Sequence, residues 1–178
     1  MMLRPAYIAG VAETPLGEVW DHSELSMAAL ASHEALTEAG LTFADVDALF
    51  TNYMGEEGTV QLGEYLGIMP RYADSTDFGG AAFEAFVHHA VAAIHAGRCE
   101  VALIAYASRQ RTRRSRRMTR EADDSTLGAQ FELSYGLPGP LGHYAMIAAR
   151  HMYQFGTTAE QLAEIGRASC RERVLLGV

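Results

Sequence analysis

The chain predicts an α/β fold, layered, with a mainly parallel sheet and helices on both faces. Three observations lead there. Segments that read as strand and as helix alternate from the N-terminus to about residue 108, the order of parallel strands joined by helical crossovers. Val101–Ala107 is an unbroken apolar run (VALIAYA), as expected of a strand covered on both faces. Before it, Phe83, Phe86, Val87, Ala90, Val91 and Ile94 recur at helical spacing, and Gly97 stands where a glycine ends a helix.

The elements follow in order. Ala6–Ala12 reads as a first strand, followed by the turn Thr14-Pro15-Leu16-Gly17. Asp21-x-x-Glu24 has the form of a capping box, and the helix it opens runs to about Ala39, with Gly40 as its stop. Phe43–Asp47 is a short turn or helical piece, and Ala48–Met54 a second strand. After a loop at Gly55–Gly58, Thr59–Leu66 is a short helix ended by Gly67. Arg71–Phe78 is a third, more polar strand; the Gly79-Gly80 turn, the central helix and the fourth strand follow. After Ser108 the pattern breaks. Arg109–Arg120 holds seven Arg and no acid, and Thr126–Pro140 has Gly, Pro and scattered aromatics without a period. Residues 109–140 therefore read as a long inserted loop, which in a compact domain is usually functional or disordered. Leu141–Phe155 is helical with Gly156 as its stop, and Thr158-x-x-Gln161 is a capping-box start of another helix.

Composition sets bounds. A chain of 178 residues with 49% hydrophobic residues is large enough for a real core. No apolar run approaches the ~18 residues of a membrane span, and MMLRPAYIAG lacks the apolar core of a signal peptide, so a cytoplasmic protein is expected. All 14 basic residues are Arg. Without Lys there is no Schiff-base lysine and no Walker A loop in these residues. The two cysteines make no disulfide framework, and Cys99, at the start of an apolar strand, reads as a small core residue. His88 and His95 lie about two helical turns, ~10 Å, apart, too far to share one metal, and no metal motif is present. No G-x-G-x-x-G supports dinucleotide binding.

The order of five blocks carries a family resemblance. AYIAGVAETPLGE, ELSMAALASHEALTEAGL, ADVDALFTNYMG, the segment Ser75–Ser108 and GHYAMIAARHMYQFGTTAEQLAEI succeed one another as in the N-terminal half of thiolase-superfamily proteins. The chain resembles that half over about residues 5–165. It is similar to the lipid-transfer-protein branch, related to sterol-carrier-protein-x thiolases. The resemblance implies a thiolase-like N-terminal domain over residues 1–164, with the later His and Cys motifs of the family in a C-terminal half beyond this chain. Thiolases carry a nucleophilic Cys after the third strand, in a pattern like V-C-A-S-G-L-Q-A. Here that pattern reads Phe78-Gly79-Gly80-Ala81-Ala82-Phe83-Glu84-Ala85. Gly79 stands at the Cys position, so no thiolase-type acyl-enzyme can form there. Relatives without this Cys are similar to retro-aldolases that cleave CoA-linked side chains, often with a small zinc-ribbon and OB-fold partner. For the parent protein the resemblance implies an acyl-CoA or steroid-CoA thioester as substrate, no bound cofactor, and a homodimer joined through the third strand. The truncated chain itself is expected to be inactive.

Each candidate site has two readings. The turn at Gly79, Gly80 and Ala81 is either a tight connection or a place where a ligand reaches backbone N–H groups at a helix start; the resemblance favours the second. The Arg cluster carries +7 within a chain of net −8, leaving −15 for the rest. An acidic body argues against general nucleic-acid binding. Arg111, Arg113, Arg114, Arg116 and Arg117 suit the phosphates of coenzyme A, or form a solvated loop or a contact with a neighbouring subunit. His143 and Tyr144 are substrate-side acid/base groups or a surface pair at a helix start. A non-catalytic acyl-CoA or lipid binding module of the same fold is the alternative to an enzyme. Finally, Ile165–Val174 reads IGRASCRERV, the translation of ATC GGA AGA GCG TCG TGT AGG GAA AGA GTG, a common sequencing-library adapter. Residues 165–178 are therefore expected to be non-native, and Cys170 with them.

Overall fold

The computed structural model describes residues 5–52, 58–76, 79–109, 111–112, 125–137 and 139–171, without the side chains of 139 and 167–171. They fall into two compact units, within residues 1–113 and within 114–176. The first unit contains α1 (Glu24–Glu38), β1 (Ala48–Phe50), α2 (Gly58–Leu66), β2 (Tyr72–Asp74), α3 (Ala82–His95) and β3 (Ala102–Ile104). The second contains α4 (Leu127–Phe131), α5 (Gly139–Phe155) and α6 (Ala159–Arg171).

The three strands form one parallel sheet in the order β2-β1-β3. Side chains alternate across β1 with the period of a strand. Leu49 joins Met27, Ala28, Leu36, Leu62, Ile68 and Leu103 on the α1/α2 face. Ala48 and Phe50 join Ala82, Phe86, Ala90, Ala93 and Cys99 on the α3 face. Helices thus cover both faces of a parallel sheet, the α/β layering expected from the sequence. Asp47 fastens the amino ends of all three strands. Its carboxylate accepts from the N–H groups of Glu100 (2.9 and 3.1 Å) and Val101 (2.9 Å) and lies 3.6 Å from the Arg71 guanidinium. Its carbonyl accepts from Arg71 N–H at 2.8 Å.

Several expectations need correction. Ala6–Ala12 is not a strand. Both sides of β1 are taken by β2 and β3, and the segment lies along α1 instead. Val11 N–H donates to Glu38 Oε2 at 2.8 Å, and a Cβ on Gly10 would come within 2.0 Å of the Ala35 carbonyl oxygen. Tyr7 and Ile8 are left exposed. The cap of α1 is Ser23, whose hydroxyl accepts from Ser26 N–H, rather than an Asp21/Glu24 box. The strands are shorter than the apolar runs because each ladder reaches only three residues along β1; Met54, Asp77 and Phe78 lie outside the described residues. Thr126–Pro140 is not featureless. Thr126 caps α4 by accepting from Ala129 N–H, and a 3-10 turn spans Leu133–Tyr135. The glycine stops hold: Gly40, Gly67, Gly97 and Gly156 all have positive φ. Thr158 and Gln161 form the reciprocal box at the start of α6, which continues past Glu164 to Arg171.

Candidate functional site

In a parallel sheet with helical crossovers, the carboxyl ends of the strands are where ligands meet backbone groups. Here β2 leads towards a 3-10 turn, Gly79–Ala81, that opens α3. All three residues are exposed. Gly79 has φ +81°, a conformation that costs other L-residues about 1–2 kcal/mol. A Cβ built on Gly79 or Gly80 would have nothing within 4 Å. Ala81, the N-cap of α3, makes no side-chain cap. The turn therefore offers a helix start, open space at Gly79 and Gly80, and no nucleophile among its described residues.

Beside it, aromatic rings form a row. Tyr72 contacts Phe50 (5.7 Å between centroids), Phe50 contacts Phe86 (5.7 Å), Phe86 contacts Phe83 (5.7 Å), and Phe83 contacts Tyr106 (5.0 Å). Phe50 and Phe86 are fully buried, whereas Tyr106 is 46% exposed. This corrects the expectation that Val101–Ala107 is covered throughout. Across the sheet, His89 Nδ1 on α3 lies 2.6 Å from Asp74 Oδ2 on β2, tying the helix to the strand. Burial first, and the negative charge of Asp47 second, push the Cys99 thiol up, in keeping with a core residue.

The remaining sequence-derived candidates lie elsewhere. In the second unit, His143 Nε2 is 2.8 Å from Glu132 Oε2, while Tyr144 is 71% exposed. Arg111 is exposed; Arg113, Arg114, Arg116 and Arg117 lie outside the described residues. Among the described residues no three His, Cys, Asp or Glu side chains group as metal ligands, and no helix is long and apolar enough to cross a membrane. Sequence reasoning missed Glu132 and Tyr106. Nothing local marks Glu132, which meets its partner across 11 positions. Tyr106 did carry a signal: a large ring between Ala105 and Ala107.

No family model matches the chain. It is 30% identical over 174 residues to the 17-hydroxy-3-oxo-4-pregnene-20-carboxyl-CoA lyase of Mycobacterium tuberculosis, covering 94% of this chain and 45% of that protein. It is 30% identical over 175 residues to the acetyl-CoA acetyltransferase of Methanothermobacter thermautotrophicus, covering 92% of this chain and 43% of that one. Among solved structures, the Ltp2-ChsH2(DUF35) aldolase superposes with a TM-score of 0.72 at 30% identity, over 86% of this chain and 39% of that one. The chain thus spans less than half the length of these relatives. With a parallel, two-faced α/β sheet and these matches, the chain is a member of the thiolase superfamily, corresponding to its N-terminal half.

Proposed function

We propose that the full-length protein cleaves a carbon–carbon bond beside a coenzyme A thioester by a retro-aldol route, without an acyl-enzyme. The observation that carries this reading is Gly79. At the position of the family's nucleophile there is a glycine at φ +81° with open space around it. Acyl transfer onto the protein has no acceptor there, and a retro-aldol step needs none. A base takes the proton of the substrate's β-hydroxyl, and the bond from the hydroxyl carbon to the α-carbon breaks. The bond's electron pair enters the thioester enolate, whose α-carbon then takes up a proton. The backbone at Gly79, Gly80 and Ala81 would face the thioester oxygen, where charge develops. His143 and Tyr144 would lie on the substrate side, with Glu132 orienting the imidazole, and Arg111, Arg113, Arg114, Arg116 and Arg117 would hold the coenzyme A phosphates. The matches to the 17-hydroxy-3-oxo-4-pregnene-20-carboxyl-CoA lyase and to the aldolase support this reading; an acetyl-CoA acetyltransferase matches equally well, so the choice against thiolysis rests on Gly79. The second of these, the Ltp2-ChsH2(DUF35) aldolase, also supports a partner protein, which by the resemblance would be a small zinc-ribbon and OB-fold protein.

The test is the need for free coenzyme A. With a 3-hydroxyacyl-CoA whose hydroxyl carbon is fully substituted, the full-length protein should release a ketone and a shorter acyl-CoA in equal amounts with no coenzyme A added. Cleavage of a 3-oxoacyl-CoA that requires added coenzyme A, with the 3-hydroxyacyl-CoA left intact, would indicate thiolysis instead. Tight thioester binding with no product would favour the non-catalytic module.

We further propose a homodimer through β2, the edge strand of the sheet, whose Ala73 is exposed. A paired edge satisfies its outward backbone groups, and at a two-fold contact each residue lies near its own copy. Ala73→Lys should dissociate the dimer in sedimentation; an unchanged dimer would place the interface elsewhere. Residues 165–178 we read as adapter-derived, which sequencing of the source locus beyond the Glu164 codon decides.

A further inference from the structure

The backbone of β2 differs between its two sides. In a parallel ladder every second residue turns its N–H and C=O towards the neighbouring strand. Tyr72 N–H donates to the Asp47 carbonyl oxygen at 3.2 Å, and Leu49 is in register with Ala73. Tyr72 and Asp74 therefore face β1, and Ala73 turns its N–H and C=O outward. Among the described residues β2 is the last strand on that side of the sheet. A further antiparallel strand would meet Ala73 there. If that strand is another copy of β2, a two-fold axis beside Ala73 lets the two alanines exchange both N–H···O bonds. An axis beside Tyr72 would need the Arg71 N–H, which donates to the Asp47 carbonyl at 2.8 Å instead. An axis beside Asp74 would set two carboxylates directly opposite each other, which is destabilising.

The side chains beside Ala73 obey the same symmetry. Tyr72 and Asp74 lie two apart on the strand and so share a face. It is the α3 face: the Tyr72 ring lies 5.7 Å from that of Phe50, and Asp74 Oδ2 meets His89 Nδ1 of α3 at 2.6 Å. Among the described residues the Tyr72 hydroxyl has no hydrogen-bond partner, and neither has Asp74 Oδ1. The first is a donor and the second an acceptor. About an axis at Ala73, Tyr72 of each copy stands directly opposite Asp74 of the other, with Cα atoms about 4.5 Å apart. Side chains opposed in this way interact. A donor and an acceptor placed evenly about the one outward-facing residue of β2 complement themselves, which a strand of another sequence would not match.

We propose that two copies of this chain pair antiparallel about Ala73, and that the Tyr72 hydroxyl of each copy donates to the Asp74 carboxylate of the other, which His89 holds in place. This rests on the reading of β2 as the dimer edge and adds to it the register and the side chains that select a second copy.

The test joins cross-linking to sedimentation of the full-length protein, in a background freed of other reactive cysteines. Ala73→Cys should form a disulfide with its own copy under mild oxidation, since an axis beside it sets the two Cα atoms about 5.5 Å apart. Arg71→Cys should not, because the same axis sets its copies about 13 Å apart. Tyr72→Phe keeps the ring on Phe50 and removes only the hydroxyl. It should weaken dimerisation about tenfold, the scale of two hydrogen bonds lost per dimer, with the thermal melt confirming that the variant is folded. A wild-type dimer in which Arg71→Cys links and Ala73→Cys does not, or in which neither links, overturns the register while leaving the dimer standing. Cross-linking at Ala73→Cys with an unchanged dissociation constant for Tyr72→Phe overturns the Tyr72–Asp74 contact. A wild-type protein that sediments as a monomer overturns the dimer and this proposal together.

Discussion

Helices α3 and α5 both carry apolar side chains at helical spacing, and the protein treats them in opposite ways. Over 14 residues α3 buries Ala82, Phe86, Ala90 and Ala93, one stripe at helical spacing. Over 17 residues, α5 has no buried side chain among those described, and Leu141, Tyr144, Met146, Ile147, Tyr153 and Phe155 are exposed. α3 is the more apolar of the two, and it also has a sheet to lie on. Three strands lie under α3, and Phe50 of the central one fills the space between Phe86 and Tyr72. Among the described residues of its own unit, α5 has no such sheet. An amphipathic pattern shows that a helix has an apolar face; what covers that face depends on chain elsewhere.

Core truncation breaks the comparison most sharply. Phe86→Ala should cost about 3–5 kcal/mol, as large-to-small changes in a packed core do, while Ile147→Ala on α5 should stay within about 0.5 kcal/mol; urea unfolding of both variants checks this. Asp47→Ala should come next, at about 2–3 kcal/mol. It removes the charged acceptor of the Glu100 and Val101 N–H groups and leaves them with no protein partner. Gly79→Ala should cost about 1–2 kcal/mol from its positive φ alone, because the space at that position is open. The same urea curves supply both values.

A smaller effect concerns reactivity. With its thiol pushed up by burial, Cys99 stays neutral at pH 8, where an ordinary cysteine is partly thiolate. In a Cys170→Ser background, alkylation should therefore be slow in the folded protein and fast in urea. On α5 the uncovered apolar residues should cause weak self-association. Light scattering should show it reduced by Tyr144→Ser with Ile147→Ser, and a monodisperse wild type would contradict it.

What the sequence made legible follows the same division. Most local signals held: the glycine stops at Gly40, Gly67, Gly97 and Gly156, the Thr158–Gln161 box, and the alternation that put helices on both faces of a parallel sheet; the Asp21–Glu24 box did not, because Ser23 caps α1. Signals that depend on partners did not carry through. Ala6–Ala12 has the apolar pattern of a strand, but its backbone is held along α1 instead, Val11 N–H donating to Glu38 and Gly10 lying against the Ala35 carbonyl. Val101–Ala107 reads as wholly buried, yet Tyr106, met by Phe83 at the start of α3, is 46% exposed. The Gly79–Ala81 turn was legible as a strand-to-helix connection, and the missing nucleophile was legible by comparison with the family's pattern. Glu132 was not, since its pairing with His143 depends on a fold between them that no local periodicity announces.

The central claim is that this strand-end turn serves thioester chemistry without ever carrying an acyl group. Intact-mass spectrometry of the full-length protein after incubation with acetyl-CoA, and separately with acetoacetyl-CoA, tests it most directly. The account predicts an unmodified protein in both cases, and an unmodified Gly79→Ala variant. An acyl group recovered on any residue of the Gly79–Ala85 segment would contradict it.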